Sequence, residues 1–162
     1  MGETISIVNE NDEIICYKDS SEVKQWDIKR ISSLRIENSK WEVLIAKRSN
    51  TMKKRPWKRW AATTWCADKW ESYEDTMKRE AKEELWIEVE NYREIGKVRY
   101  KSTFIQNFKA IMDIDIKELK LQKEEVETVK WIKKDELYKQ CKENPDDFVP
   151  QLREFINEYI EK

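Results

Sequence analysis

Apolar and polar residues alternate along much of the chain, and this pattern predicts a protein built largely from β-strands. The predicted strands occupy residues 5–17 (two short strands around the turn Asn9-Glu10-Asn11-Asp12), 28–37, 43–46, 60–64, 92–100, 104–116 and 126–132. The segment Asn38-Ser39-Lys40-Trp41 lies between the strands at 28–37 and 43–46, so a hairpin is expected there. Such a turn usually ends in glycine, because its last residue has a positive φ.

Three segments have apolar residues at a helical spacing instead. They cover residues 72–85, 135–142 and 147–160. The first segment has a suitable N-cap in Ser72, with Asp75 three residues later. Strands, a helix, more strands and then helices predict an α+β fold with a mixed sheet, in a single domain over residues 1–162.

Three carboxylates stand on the first predicted helix, near an apolar stripe that includes Met77 and Leu85. A rotation of about 100° per residue places Glu84 within the stripe and Glu80 and Glu83 beside it. Burying like charges is costly unless a cation neutralises them, and a ligand set made only of oxygens suits a hard ion, Mg²⁺ or Mn²⁺. The alternative is a solvated helix rich in lysine and glutamate, which periodicity alone favours.

The stretch 65–87 resembles the box of the Nudix hydrolases, written G-x5-E-x7-R-E-U-x-E-E-x-G-U with U apolar. Glu71 takes the first acidic position, and the later positions match with the correct spacing. The matching residues are Arg79, Glu80, Ala81, Glu83, Glu84 and Ile87. The two glycines of the pattern are Trp65 and Trp86 in this chain.

Three flanking segments resemble the Nudix branch related to isopentenyl-diphosphate isomerase. They are VNENDE near the start, IAKRS, and KKRPWK before the box. With the box, they extend the resemblance over roughly residues 5–160.

This resemblance implies a Nudix fold, an α/β/α sandwich around a mixed sheet. It also implies Mg²⁺-dependent hydrolysis of a pyrophosphate bond in a small nucleoside diphosphate derivative. By position, Glu80, Glu83 and Glu84 would be the metal ligands and catalytic carboxylates, and Glu80 is the first choice for orienting or deprotonating the attacking water. Glu71 and Arg79 would form a structural ion pair between the helix and its preceding loop.

Residues 50–59 form a basic segment, NTMKKRPWKR, just before the box. One interpretation is a solvated loop. The other is a phosphate-binding rim of Lys53, Lys54, Arg55 and Lys58, near Lys47 and Arg48 at the end of the preceding strand. Trp65 completes the predicted substrate-binding set, because the resemblance implies that the main chain there approaches metal or pyrophosphate.

Composition excludes several other classes of protein. The chain has 32 lysines and arginines against 33 aspartates and glutamates, so no net field favours nucleic acid or an anionic membrane. No apolar run is long enough to span a bilayer, and no secretory signal pattern opens the sequence. Three widely spaced cysteines give neither a disulfide framework nor a zinc pattern, so a reducing cytoplasm is expected.

Two other functions remain open from the sequence. An isopentenyl-diphosphate isomerase would need metal-binding histidines, a catalytic cysteine before the box helix and a glutamate on a later strand. The chain has no histidine; Cys66 lies one or two positions from the expected cysteine, and the later strand offers Gln106. A binding module without catalysis is the second alternative: the carboxylates argue against it, whereas the missing glycines argue for it.

Tryptophan and glycine occur in unusual numbers. The chain has 8 tryptophans and 2 glycines, although average usage predicts roughly 11 glycines. Tryptophan stands where the family pattern or the local turn favours glycine at Trp41, Trp57, Trp65, Trp70 and Trp86. One codon explains all five, because UGA is read as glycine in some bacterial lineages and as tryptophan in others. The hypothesis is that these codons are UGA and that their host inserts glycine.

Overall fold

The computed structural model describes residues 3–161, within which nine strands, four α-helices and one 3-10 turn at Pro145–Asp147 are found. The strands are β1 (Thr4–Val8), β2 (Ile14–Asp19), β3 (Ile28–Glu37), β4 (Glu42–Arg48), β5 (Arg59–Trp60), β6 (Thr63–Cys66), β7 (Tyr92–Tyr100), β8 (Thr103–Ile111) and β9 (Val126–Lys133). The helices are α1 (Tyr73–Leu85), α2 (Lys134–Glu143), α3 (Pro150–Glu154) and α4 (Ile156–Glu161).

Strand β3 is the centre of a mixed sheet. It pairs in parallel with β8 along its length, from Lys29 with Thr103 to Glu37 with Ile111. It also forms antiparallel pairs with β1, β6 and β4 in turn. Strand β7 extends the sheet beyond β8, and β9 extends it beyond β4. The predicted α+β fold with a mixed sheet is confirmed.

The two faces of β3 have different neighbours, because successive side chains point to opposite sides of a strand. Leu34 and Ile36 are buried in a core cluster that contains Met77 and Leu85 of α1. Ser32, on the same face, donates a hydrogen bond to the main-chain carbonyl of Tyr73. Ser33 and Arg35, which lie on the opposite face of β3, line a cavity whose walls also include residues of α3 and α4. Strand β3 therefore separates the box helix from that cavity.

Helix α1 begins as the sequence predicts and ends in a left-handed residue. The Ser72 hydroxyl accepts from the Asp75 amide at 3.1 Å, and the Asp75 carboxylate accepts from the Ser72 amide at 3.0 Å, which completes a capping box. At the other end Trp86 has φ 60° and ψ 38°, and its amide donates to helix carbonyls. Glycine is the usual residue at such an end, because it has no Cβ to clash.

Three predicted boundaries were wrong. The segment 60–64 is split between β5, which pairs with β4, and β6, which pairs with β3. The strand predicted over 104–116 ends at Ile111, where its partner β3 also ends. The helix predicted over 147–160 is divided, because Pro150 starts α3 and Phe155 leaves the helical conformation with φ −103° and ψ 21°.

Four of the tryptophans have a left-handed backbone. Their φ values are 63° at Trp41, 60° at Trp57, 72° at Trp70 and 60° at Trp86. Their side chains are exposed to 71%, 57%, 77% and 61% respectively, so burial does not offset the backbone cost of a bulky residue there. Burial therefore gives no reason for tryptophan at these four positions.

Within residues 3–161, no helix combines the length and apolar character needed to cross a membrane.

Candidate active site

A cavity of about 570 Å³ lies on the face of β3 away from α1. Its walls come from β3, β7, β8, α3 and α4. Its lining includes the basic residues Arg48, Lys54 and Arg55, together with Trp65 and Cys66 of β6. Lysine and arginine side chains that line a cavity suit a phosphate-bearing ligand.

Glu84 is fully buried on the α1 side of β6. Its Oε1 accepts a hydrogen bond from the indole Nε1 of Trp65, and its Oε2 has no hydrogen-bond partner within residues 3–161. Burial, followed by the charge of Glu80, raises the pKa of Glu84 well above its ordinary value. A buried carboxylate with an unpaired oxygen fits a nearby cation, which would restore the charged form.

Glu80 lies one turn before Glu84 on the same helix, Glu83 directly precedes Glu84, and both contact Arg79. Glu80 is mostly buried, and this burial raises its pKa to about 8 although Arg79 favours the charged form. The Arg79 Nη1 atom also lies 3.2 Å from Oε2 of the exposed Glu83. In the described part of the chain, no group of three or more His, Cys, Asp or Glu side chains is arranged to hold a metal ion.

Arg79 ties the helix to the loop before it. Its Nε lies 2.5 Å from Glu71 Oε1, and its Nη2 lies 3.0 Å from Glu71 Oε2 and 3.6 Å from Asp68. Burial would raise the pKa of Glu71, but hydrogen bonds from Arg79 and Thr76 outweigh burial and lower it. The structural role assigned to the Glu71–Arg79 pair stays a prediction, made on residues that the fold brings into contact.

Trp65 stands between Glu84 and the cavity. Its indole donates to Glu84 and also lines the cavity, whereas Glu84 does not reach the cavity wall. The Arg48 guanidinium lies 5.7 Å from the Trp65 ring and 4.0 Å from the Trp60 ring. The side chain at position 65 therefore separates the carboxylates of α1 from the basic cavity.

The predicted substrate-binding residues are not all in one place. Arg48, Lys54 and Trp65 line the cavity, and Lys53 does not. Sequence reasoning missed Arg35 and Tyr159, which also line it. Alternation along β3 gave no signal for Arg35, because an arginine in a polar position of a strand ordinarily faces solvent.

Comparison with known proteins identifies the domain family and the fold. The model of the NUDIX domain matches residues 28–159. The structure of DR0079 from Deinococcus radiodurans superposes with a TM-score of 0.87 at 19% identity, covering 99% of this chain and 100% of that one. The MutT protein from Methanosarcina mazei Go1 superposes with a TM-score of 0.69 at 19% identity, covering 82% of this chain and 92% of that one.

A mutator MutT protein from Bacillus halodurans gives a TM-score of 0.59 at 21% identity, over 83% of this chain and 84% of that one. A search of curated proteins gives no match. The domain match covers most of the chain and includes the carboxylate helix, the strands around the cavity and the basic segment. The chain belongs to the NUDIX domain family, and its fold is that of the MutT and Nudix proteins.

Proposed function

We propose that this protein hydrolyses a pyrophosphate bond in a nucleoside diphosphate derivative and depends on Mg²⁺ or Mn²⁺. One observation carries the proposal: the fully buried Glu84 has an unpaired oxygen, and the indole of Trp65, to which it is hydrogen-bonded, separates it from a cavity lined by basic side chains. Membership of the Nudix family supports the reaction class.

Each group has a role in this proposal. Glu80, Glu83 and Glu84 would hold the ion, although Arg79 contacts Glu80 and Glu83 in the structure. A bound divalent cation supplies a water of lowered pKa and offsets charge on phosphoryl oxygens. Arg48 would bind the phosphate oxygens, because this residue lines the cavity and is 5% exposed.

The side chain at position 65 decides whether a ligand in the cavity can reach the carboxylates of α1. With glycine there, the indole between Glu84 and the cavity would be absent, and a phosphate could approach the helix. The proposal therefore assigns glycine to positions 41, 57, 65, 70 and 86 of the protein made by its host, through UGA codons. The left-handed backbones of Trp41, Trp57, Trp70 and Trp86 support this assignment independently of the family pattern.

Two experiments test the proposal. Sequencing the gene distinguishes UGA from UGG at the five positions, and UGG codons would refute the assignment. Phosphate release is then measured with Mg²⁺ on the glycine-bearing protein, over nucleoside di- and triphosphates, dinucleoside polyphosphates and nucleotide sugars. Turnover is expected, and excess EDTA should abolish it.

Single substitutions test the carboxylates. Glu84→Gln and Glu80→Gln should each lower turnover by orders of magnitude in a folded protein, because each removes a charged ligand. Glu74→Gln is the matched control, since Glu74 lies on the same helix and is paired with Lys78 at its surface. Normal turnover in both the Glu84 and the Glu80 variant would show that the ligand assignment is wrong.

The same assays separate the alternatives. A binding module without catalysis would bind nucleotide and release no phosphate in the glycine-bearing protein. An isomerase would interconvert isopentenyl and dimethylallyl diphosphates. No described contact favours the isomerase, because Gln106 is buried and its amide faces the main-chain oxygens of Gly96 and Asn107.

A further inference from the structure

Arg55 is a basic side chain of the cavity wall that no carboxylate neutralises within residues 3–161. It lies in the loop between β4 and β5, is exposed, and lines the cavity. Its Nη1 donates a hydrogen bond to the neutral amide oxygen Oε1 of Gln151 on α3, at 2.7 Å. Other arginines, such as Arg59 and Arg79, form ion pairs with carboxylates. The charge of Arg55 is therefore available to a ligand in the cavity.

The loop that carries Arg55 is fastened to the segment before α3. Lys58 Nζ donates to the main-chain carbonyl of Asp146. The Val149 amide donates to the Arg59 carbonyl at 3.0 Å. Arg55 itself has a left-handed backbone with φ 51°, which is uncommon for a residue other than glycine. The fold therefore holds Arg55 at the cavity without the help of an ion pair.

Arg48, a second arginine of the cavity wall, also forms no ion pair with a carboxylate of residues 3–161. Its guanidinium lies 4.0 Å from the Trp60 ring. Burial lowers the pKa of Arg48, the charge of Glu84 opposes this shift, and the charge of Arg55 adds to it. The two guanidiniums are thus close enough to repel each other, and Lys54 adds a further positive charge to the lining. An anion bound to both arginines would relieve this repulsion.

Two guanidiniums favour a phosphate group that carries no second substituent. A phosphate monoester has a charge of about −1.5 to −2 at pH 7 and three acceptor oxygens, and the terminal phosphate of a nucleoside di- or triphosphate resembles it. A phosphate with substituents on both sides has a smaller charge and fewer free oxygens. Gln151 occupies Nη1 of Arg55, so Nε and Nη2 remain as the planar fork that can bind two oxygens of one phosphate.

We propose that Arg55 is a specificity-determining residue, which binds the terminal phosphate of a nucleoside di- or triphosphate while Gln151 holds its guanidinium in place. Nucleotide sugars and dinucleoside polyphosphates bind more weakly, because each of their phosphates carries a second substituent. The proposal rests on the proposed function, since it assumes that the pyrophosphate of the substrate lies beside Arg48. Free nucleoside di- and triphosphates are then the preferred class of substrate.

The test compares UDP with UDP-glucose, and ADP with ADP-ribose, in calorimetric binding to the full chain. EDTA is present, so that binding depends neither on a metal ion nor on hydrolysis. The chain is used both with Trp65 and with the Trp65→Gly substitution. In at least one of these two forms, and for at least one of the two pairs, the free diphosphate should bind roughly tenfold or more tightly than its sugar derivative, as expected for hydrogen bonds between charged groups.

Substitutions assign this preference to Arg55. Arg55→Met should bring the ratio of the two affinities close to one. Gln151→Glu should also lower the ratio, because the new carboxylate would neutralise Arg55. Arg153→Met is the matched control and should leave the ratio unchanged, since Arg153 also lies on α3 but pairs with Asp146 at 3.6 Å and does not line the cavity.

Thermal unfolding of each variant shows whether it is folded. If Arg55→Met fails to fold, Gln151→Glu carries the test. Equal affinities within both pairs, binding of no nucleotide, or an unchanged ratio in the folded variant that carries the test would overturn the role of Arg55. A preference for the free diphosphate without phosphate release by the glycine-bearing protein would support this role and refute the proposed reaction, whereas hydrolysis without that preference would do the reverse.

Discussion

Replacing the four left-handed tryptophans by glycine should stabilise the protein. The variant carries Trp41→Gly, Trp57→Gly, Trp70→Gly and Trp86→Gly, at positions with φ between 60° and 72°. Loss of an indole ordinarily destabilises a protein, so an increase in stability would be an unusual result. The reason to expect one is that these side chains are exposed while their backbones are strained.

The expected increase in the free energy of unfolding follows from three contributions. A residue with a Cβ costs roughly 1–2 kcal/mol in the left-handed region. Glycine loses about 0.5–1 kcal/mol more backbone entropy on folding, which leaves a net gain of about 0.5–1 kcal/mol at each position. The substitutions also remove exposed ring contacts, such as that between Trp70 and Tyr17, and this loss subtracts about 1 kcal/mol in all from the gain. Distant sites add, so the free energy of unfolding should rise by about 1–3 kcal/mol.

Denaturant and thermal unfolding measure this change. A rise of that size corresponds to an increase in Tm on the order of 5 °C for a domain of this length. Trp26→Gly is the control, because Trp26 is 77% exposed but is not among the residues with positive φ. It should leave stability unchanged or lower it slightly. A fourfold variant that is no more stable than the parent would refute the account of backbone strain.

Three further results are expected. Cys66→Ala should keep most of the turnover of the glycine-bearing protein in the phosphate-release assay. Burial raises the pKa of this thiol, and hydrolysis by metal-bound water needs no thiolate. A folded but inactive variant would revive the isomerase alternative. Ser72→Ala should lower the free energy of unfolding by about 1 kcal/mol, since it removes the N-cap of α1; no change in urea unfolding would contradict this. Glu37→Gln should lower the free energy of unfolding by about 3 kcal/mol, since it leaves the cations around it unpaired. In the folded state, Lys109, Lys134 and Arg35 outweigh burial and lower the pKa of Glu37. The stabilisation by Glu37 should therefore be complete above the ordinary carboxyl pKa and be lost as pH falls through the lower folded value. A parent and variant that lose stability in parallel on acidification would count against it.

Periodicity and cap chemistry predicted most of the fold. The burial of Glu84 followed from its place in the apolar stripe, and the start of α1 followed from Ser72 and Asp75. Pairing partners were not predictable in this way, because alternation within a strand does not say which strand lies beside it. The break between β5 and β6 and the early end of β8 both depend on such partners.

The site was predictable only where local spacing determines geometry. Three glutamates at helical spacing indicated a shared face without any knowledge of the tertiary structure. Arg35 and Tyr159 are 124 residues apart in sequence (159 − 35), and only the packing of α4 on β3 brings them together. The separation of Glu84 from the cavity by Trp65 also depends on the pairing of β6 with β3.

The parallel pairing of β3 with β8 has a consequence for how the protein folds during synthesis. Lys29 pairs with Thr103, so 74 residues (103 − 29) must be made before the first of these hydrogen bonds can form. Until then one edge of β3 is open, although β1, β4 and β6 can already cover the other. Pairings between distant segments slow folding and expose strand edges to other chains. A nascent chain arrested before Thr103 should therefore be sensitive to protease and prone to aggregate, and resistance should develop once β8 has emerged from the ribosome.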